Sequence, residues 1–176
     1  VVGAHCGAEG GRRGADDNAR GVAVLLELAR RLPGEPPRRT QIVVAFANEG
    51  PPRCGSEDMG SARFARQLAD EKVPVDVMVA LDLVGYFSDE RGSQRYPVLG
   101  LDFLFPDTGN FIAVVGDLGA SHWIGKVKRG MRAAGTIPVL SFRAPAALSG
   151  GLLSDHLWFR KLGLPGVLVT DTAFMR

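Results

Sequence analysis

Two features of the sequence predict an α/β fold built on a largely parallel sheet. Short β-branched or apolar runs alternate with segments of helical periodicity, the pattern of strands joined by crossover helices. Acidic or imidazole side chains also recur just beyond the predicted strands, at His5, Glu49 and Asp82. Parallel sheets of this kind bind ligands at the carboxyl ends of their strands. The placement of these three groups is therefore informative about function as well as fold.

Val1 to Ala4 is an apolar run ending at His5 and reads as a buried strand. A loop with four glycines follows, over residues 7–14. Asp16, Asp17 and Asn18 then offer helix N-cap chemistry, and a helix is expected over residues 19–32. Its apolar stripe is Val22, Leu25, Leu26, Ala29 and Leu32, and Pro33-Gly34 and Pro36-Pro37 end it. Residues 41–47 (QIVVAFA) form a β-branched strand, with Glu49 just past its end and Gly50-Pro51-Pro52 forcing a loop. A second helix is expected over 56–71, and a third strand over 75–84 with Asp82 near its end. Residues 87–107 lack periodicity. The pattern then gives a strand over 111–115, a helix over 121–134 and a strand over 139–142. A short helix capped by Ser154-Asp155 runs through residue 160, before a last strand over 165–170.

At 176 residues the chain is long enough for a sizeable core, and residues 1–176 are expected to form a single domain. The chain opens on a strand that reads as already in progress and ends abruptly at Phe174-Met175-Arg176, so it is expected to be a piece of a longer protein. The net charge is +2, which gives no electrostatic footprint for nucleic acid. The paired arginines at 12–13, 30–31 and 38–39 read as solvated surface. No apolar run has the length of a membrane span. Cys6 and Cys54 are expected to be buried free thiols. Phe103, Phe105, Phe111, Phe142, Trp158 and Phe159 are expected to be mostly core, with some lining an apolar pocket.

Hydrolysing an amide near neutral pH requires a strong nucleophile and a means of holding charge on the carbonyl oxygen. Zinc supplies both, using histidine nitrogen and carboxylate oxygen ligands with one position open. A separate carboxylate then moves the proton from water to the leaving amine. His5, Asp17, Asp82 and His156 suit the first task, and Glu49 suits the second.

The chain resembles the M28 zinc peptidases, aminopeptidase-type exopeptidases with a co-catalytic metal pair. The matching stretches are VVGAH at 1–5, GADDNARGVAVLLELA at 14–29, VAFANE at 44–49, LDLVGY at 81–86, DTGNFIAVVGDLG at 107–119, SDHLWF at 154–159 and PGVLVTDTAF at 165–174. The resemblance implies a three-layer α/β domain with a mixed, mostly parallel sheet flanked by helices. It also implies that His5 is the first metal-ligand histidine, Asp17 the bridging carboxylate and Glu49 the general acid/base. Asp82 would be the second ligand of the metal held by His5, and His156 the histidine of the other metal. Two positions depart from the family pattern. Gly7 stands where an aspartate would support the first histidine, and Gly50 stands where a second glutamate would bind metal.

The expected cofactor is accordingly zinc, with one ion held more firmly than the other or only one held. The expected substrate is a peptide or small amide, and a secreted or periplasmic setting is compatible with the resemblance. The alternatives are a catalytically inactive peptide- or metal-binding domain, and a single-zinc amidohydrolase or glutaminyl-cyclase-like enzyme. His122 matches no role and reads as surface.

Overall fold

Six strands form one sheet. The computed structural model describes residues 1–7, 14–34, 39–96, 100–143 and 154–171. The strands are β1 (Val2–His5), β2 (Val43–Phe46), β3 (Met78–Leu81), β4 (Ile112–Gly116), β5 (Val139–Arg143) and β6 (Gly166–Thr170), and they lie in the order β2-β1-β3-β6-β4-β5. β1, β2, β3 and β6 are parallel, with His5 opposite Phe46 and Leu81 opposite Val169. β4 runs antiparallel to β6 and parallel to β5. The sheet is therefore mixed and mostly parallel, as expected. Parts of the glycine-rich loop, the Pro36-Pro37 stop and the end of the VTDTAF stretch lie outside the described residues.

Alternation along the strands explains the layers. Met78, Ala80, Ala113, Val115 and Leu168 face one side, where they pack with Met59, Ala62, Ala65 and Leu68 at and within the second long helix and with Trp158 and Phe159 of the short last helix. Leu81, Val114, Val167 and Val169 face the other side, with Leu25 of the first helix and Ile124 of the third. A period of two in the strands thus supplies two apolar faces, and each buries a helical stripe. The helices are α1 (Arg20–Arg31), α2 (Gly60–Asp70), α3 (Ser121–Ala134) and α4 (His156–Lys161).

Several local expectations are corrected. The second helix begins at Gly60, not Ser56, because residues 50–58 make a series of turns and the helix start abuts β2. Gly60 N–H donates to the Ala47 carbonyl at 2.8 Å. A β-carbon on Gly60 would stand 2.7 Å from the Ala47 nitrogen, so the close approach requires glycine. Leu26, placed on the buried stripe of α1, is 66% exposed, and Leu25 carries the packing. Cys6 is exposed and Cys54 half-buried, so neither is the buried thiol expected. Phe103 is 89% exposed, whereas Phe111, Trp158 and Phe159 are core. His122 is on the surface, edge-on to Trp123.

The connection from β3 to β4 leaves and re-enters the sheet at the same end, since Leu81 lies opposite Val169 and Ala113 opposite Thr170. It is closed on itself by Ser88 N–H to Gly109 O (3.0 Å), Gln94 N–H to Asp107 O (3.0 Å) and Tyr96 O–H to Pro106 O (2.8 Å). No described helix is long and apolar enough to cross a membrane.

Candidate metal centre

Because β1, β2, β3 and β6 are parallel, their carboxyl ends meet on one edge of the sheet. His5 closes β1, Glu49 lies three residues beyond β2, Asp82 follows β3, and Asp171 follows β6. The irregular turn Ala15–Ala19, which leads into α1, brings Asp17 over the same edge.

His5 is the hub. Its Nε2 lies 3.1 Å from Asp17 Oδ1, 3.2 Å from Asp82 Oδ1 and 3.4 Å from Glu49 Oε2. The side chains of His5, Asp82 and Glu49 are largely buried, whereas that of Asp17 is 49% exposed. The centre therefore opens to solvent on the Asp17 side. Asp16 points elsewhere and pairs with Arg20 one turn on, at 3.1 Å.

The charges follow from this crowding. Burial by itself would lower the His5 pKa. Hydrogen bonds to Asp17 and Asp82, with the charges of Glu49 and Asp82, overcome it and push His5 up to about 11. Glu49 is pushed up to about 8, first by burial and then by Asp82, Asp155 and Asp17, with His5 opposing. Asp155, almost wholly buried, is pushed up to about 6 by burial, with the nearby Ser61 hydroxyl and His5 opposing and Asp82 adding. The centre thus gathers several carboxylates around one cation, which in the metal-free protein is the His5 imidazolium.

Donor atoms of His5, Asp17 and Asp82 all lie within 4.8 Å of one another. Two ligands about 2.0–2.1 Å from zinc at a tetrahedral angle stand roughly 3.3 Å apart. The separations of 3.1 and 3.2 Å from His5 are of that size. A single Nε2 proton serves only one of the surrounding oxygens well, whereas a dication serves all of them. Glu49 Oε1 and Asp155 Oδ1 are buried with no hydrogen-bond partner among the described residues. The donor set and its spacing therefore fit a zinc ion.

His156 is not brought to this group. It begins α4 and is 2% exposed. Burial and the Arg160 guanidinium hold it down to about 3, and Asp117 opposes them. Arg160 itself pairs with Asp117, just past the end of β4. Its neighbour Asp155 is the residue of the pair whose charge is felt by Glu49. Gly50 is half-buried beside Glu49 and offers no side chain. Gly7 adopts φ +109°, a backbone that strains any aspartate placed there.

Sequence reasoning underrated three polar groups. Asn18, expected to cap the helix, makes no capping bond and turns into the fold. Asp155 supplies charge near Glu49. Asp171 Oδ2 accepts from Tyr86 N–H at 2.6 Å, and its own N–H donates to Leu83 O at 2.8 Å, so it braces the turn after Asp82. The available signal was the recurrence of short polar residues next to strand ends.

Comparison with known proteins gives the family and the fold. The model of peptidase family M28 matches residues 1–176. The uncharacterized protein YfbL of Escherichia coli K12 is 42% identical over 163 residues, covering 93% of this chain and 50% of that protein. A probable zinc metalloprotease of Pyrenophora tritici-repentis is 35% identical over 85 residues, covering 48% of this chain and 18% of its own. Among solved structures, the zinc aminopeptidase BSAP of Bacillus subtilis superposes with a TM-score of 0.69 at 23% identity, over 99% of this chain and 37% of that one. An aminopeptidase from Aneurinibacillus sp. strain AM-1 gives 0.60 at 25% identity, over 96% of this chain and 34% of that one. The chain thus spans half the length of YfbL and smaller shares of the others.

Proposed function

Since the chain belongs to peptidase family M28, we propose that it carries a zinc-dependent exopeptidase centre of aminopeptidase type, in which His5, Asp17 and Asp82 hold the metal and Glu49 is the general acid/base. The observation that carries this reading is the convergence of those four side chains, from four separate segments, on one edge of the sheet. When bound, zinc supplies a water of lowered pKa and polarises the carbonyl of a peptide or small amide. The chain's own residues do the rest. Asp17, the exposed member, faces the incoming substrate. Glu49 Oε2 lies close enough to the centre to take a proton there, and its partnerless Oε1 is free to pass one to the leaving amine. Burial of Glu49 and of the adjoining Asp155 favours the protonated carboxyl, the form that donates.

Among the described residues the ligand set of a second metal is incomplete, because Gly50 lacks a side chain and His156 lies in the Arg160–Asp117 cluster. One ion per chain is therefore the expected stoichiometry. That single centre also supports a second reading, a single-zinc amidohydrolase or glutaminyl-cyclase-like enzyme. An inactive metal-binding domain is the third.

Turnover of amino-acid nitroanilides and of peptides beginning with glutamine separates them, measured on the zinc-loaded chain and on Glu49→Gln. Release of the first residue, falling by about 10²–10⁴ in Glu49→Gln with zinc content unchanged, is the expected result. Ammonia release without chain shortening would move the assignment to the cyclase. Zinc binding with no turnover of either substrate would leave the inactive domain.

A further inference from the structure

Asn18 is 1% exposed, yet its amide neither caps the helix nor touches the metal centre directly. Its Nδ2 donates to the Leu81 carbonyl at 2.8 Å, and its Oδ1 accepts from the Leu83 N–H at 3.2 Å. Those two groups lie on either side of Asp82. One carboxamide therefore grips the backbone before and after one carboxylate of the centre, while its own chain neighbour, Asp17, supplies another. Leu83 has φ +52°, a left-handed backbone costly for a branched residue, and is held on its other side by Asp171 N–H.

The room for this grip is made by Gly21. It lies in the first turn of α1, three residues after Asn18. A β-carbon there would stand 2.3 Å from Asn18 Oδ1 and 2.7 Å from both Cγ and Nδ2. No side chain fits without moving the buried amide.

We infer that Asn18, seated by Gly21, is a positioning residue that sets the separation of the Asp17 and Asp82 carboxylates and so the metal affinity of the centre. This rests on the zinc reading above. The two bonds fix the turn carrying Asp82 relative to the turn carrying Asp17, and His5 lies between them. Release of the amide lets the two carboxylates part by the freedom of two loops, without removing any ligand.

The test compares the full chain with Asn18→Ala, Asn18→Asp, Gly21→Ala and the control Gly125→Ala. Gly125 lies in α3, with open space around its would-be β-carbon. Two quantities are read: the zinc dissociation constant, by competition with a chromophoric chelator, and the ¹⁵N shifts of the His5 ring in metal-free protein at a single pH. Loss of a group that orients a ligand weakens metal binding by about 10–100-fold. The expected result is that order of weakening in Asn18→Ala and Gly21→Ala, none in Gly125→Ala, and moved His5 ring signals in the first two. Asn18→Asp keeps the acceptor for Leu83 but loses the donor to Leu81, and is expected to fall between. It and Gly21→Ala carry the test if Asn18→Ala does not fold. Zinc constants within twofold of the parent, with unmoved His5 signals, would overturn the proposal while leaving the zinc reading intact. If the parent chain binds no zinc, the zinc reading fails and the His5 shifts alone decide: signals that move support the positioning role, and signals that stay overturn it.

Discussion

His156 is expected to make the protein acid-labile, by an amount that can be worked out. The neutral imidazole is sealed in the fold, its Nδ1 has no hydrogen-bond partner among the described residues, and its pKa is held down to about 3. In the unfolded chain it titrates near 6.5. The unfolded state therefore binds the extra proton throughout the interval between those values. The stabilising contribution is complete above 6.5, and it is lost as pH falls towards 3. Each full pH unit is worth about 1.4 kcal/mol, so going from pH 7.5 to 4.5 costs up to ~2.7 kcal/mol. That is a large part of the roughly 5–15 kcal/mol typical of a domain. Glu49 and Asp155 act in the opposite sense, because their raised values make the folded state hold protons more tightly as pH falls. The difference between the parent chain and His156→Gln isolates the histidine from them. Urea unfolding of the metal-free proteins at pH 7.5 and 4.5 measures it. His156→Gln is expected to lose about 2–3 kcal/mol less than the parent over that interval, and to keep the parent's zinc content. Parallel losses within about 0.5 kcal/mol would refute the buried neutral histidine. Loss of zinc from the variant would refute its placement away from the centre.

Zinc affinity is expected to keep rising with pH well above 7, because metal must displace a proton that His5 holds up to about 11. Chelator competition between pH 6 and 9 checks this, and a plateau above pH 7 would contradict it. Gly50→Glu alone is expected to leave zinc content near one ion per chain by elemental analysis, since His156 stays in the Arg160–Asp117 cluster, and a second ion would refute that placement. Gly7→Asp is expected to add nothing to zinc content and to lower the melting temperature, because its φ of +109° disfavours aspartate.

The strands and three members of the centre were legible because the same physics writes both. A buried parallel strand needs a β-branched run such as QIVVAFA, and a polar group at its end has to find a partner there, as His5, Glu49 and Asp82 do. What was illegible depended on rotation or contact. Asp155 and His156 are adjacent, and only the phase of a six-residue helix decides which one faces the centre. Asn18 reads equally well as a cap or as a buried amide until the turn after β3 is placed beside it. The start of α2 at Gly60 follows from a backbone contact with Ala47, which leaves no trace in periodicity. Leu26 is as apolar as Leu25, but only Leu25 lies over the sheet.

The antiparallel course of β4 leaves the stretch between β3 and β4 anchored at both ends on the rim where His5, Asp17 and Asp82 gather. Near β3 it is tied to Asn18 and Asp171, and Tyr96 and Phe105 pack on Phe142 of β5, whereas Phe103 and Leu104 are exposed. Rewriting its exposed part around Phe103 and Leu104 would leave every rung of the ladder and every donor of the centre in place. This is a part of the protein in which selection can change what reaches that rim without renegotiating how the chain folds.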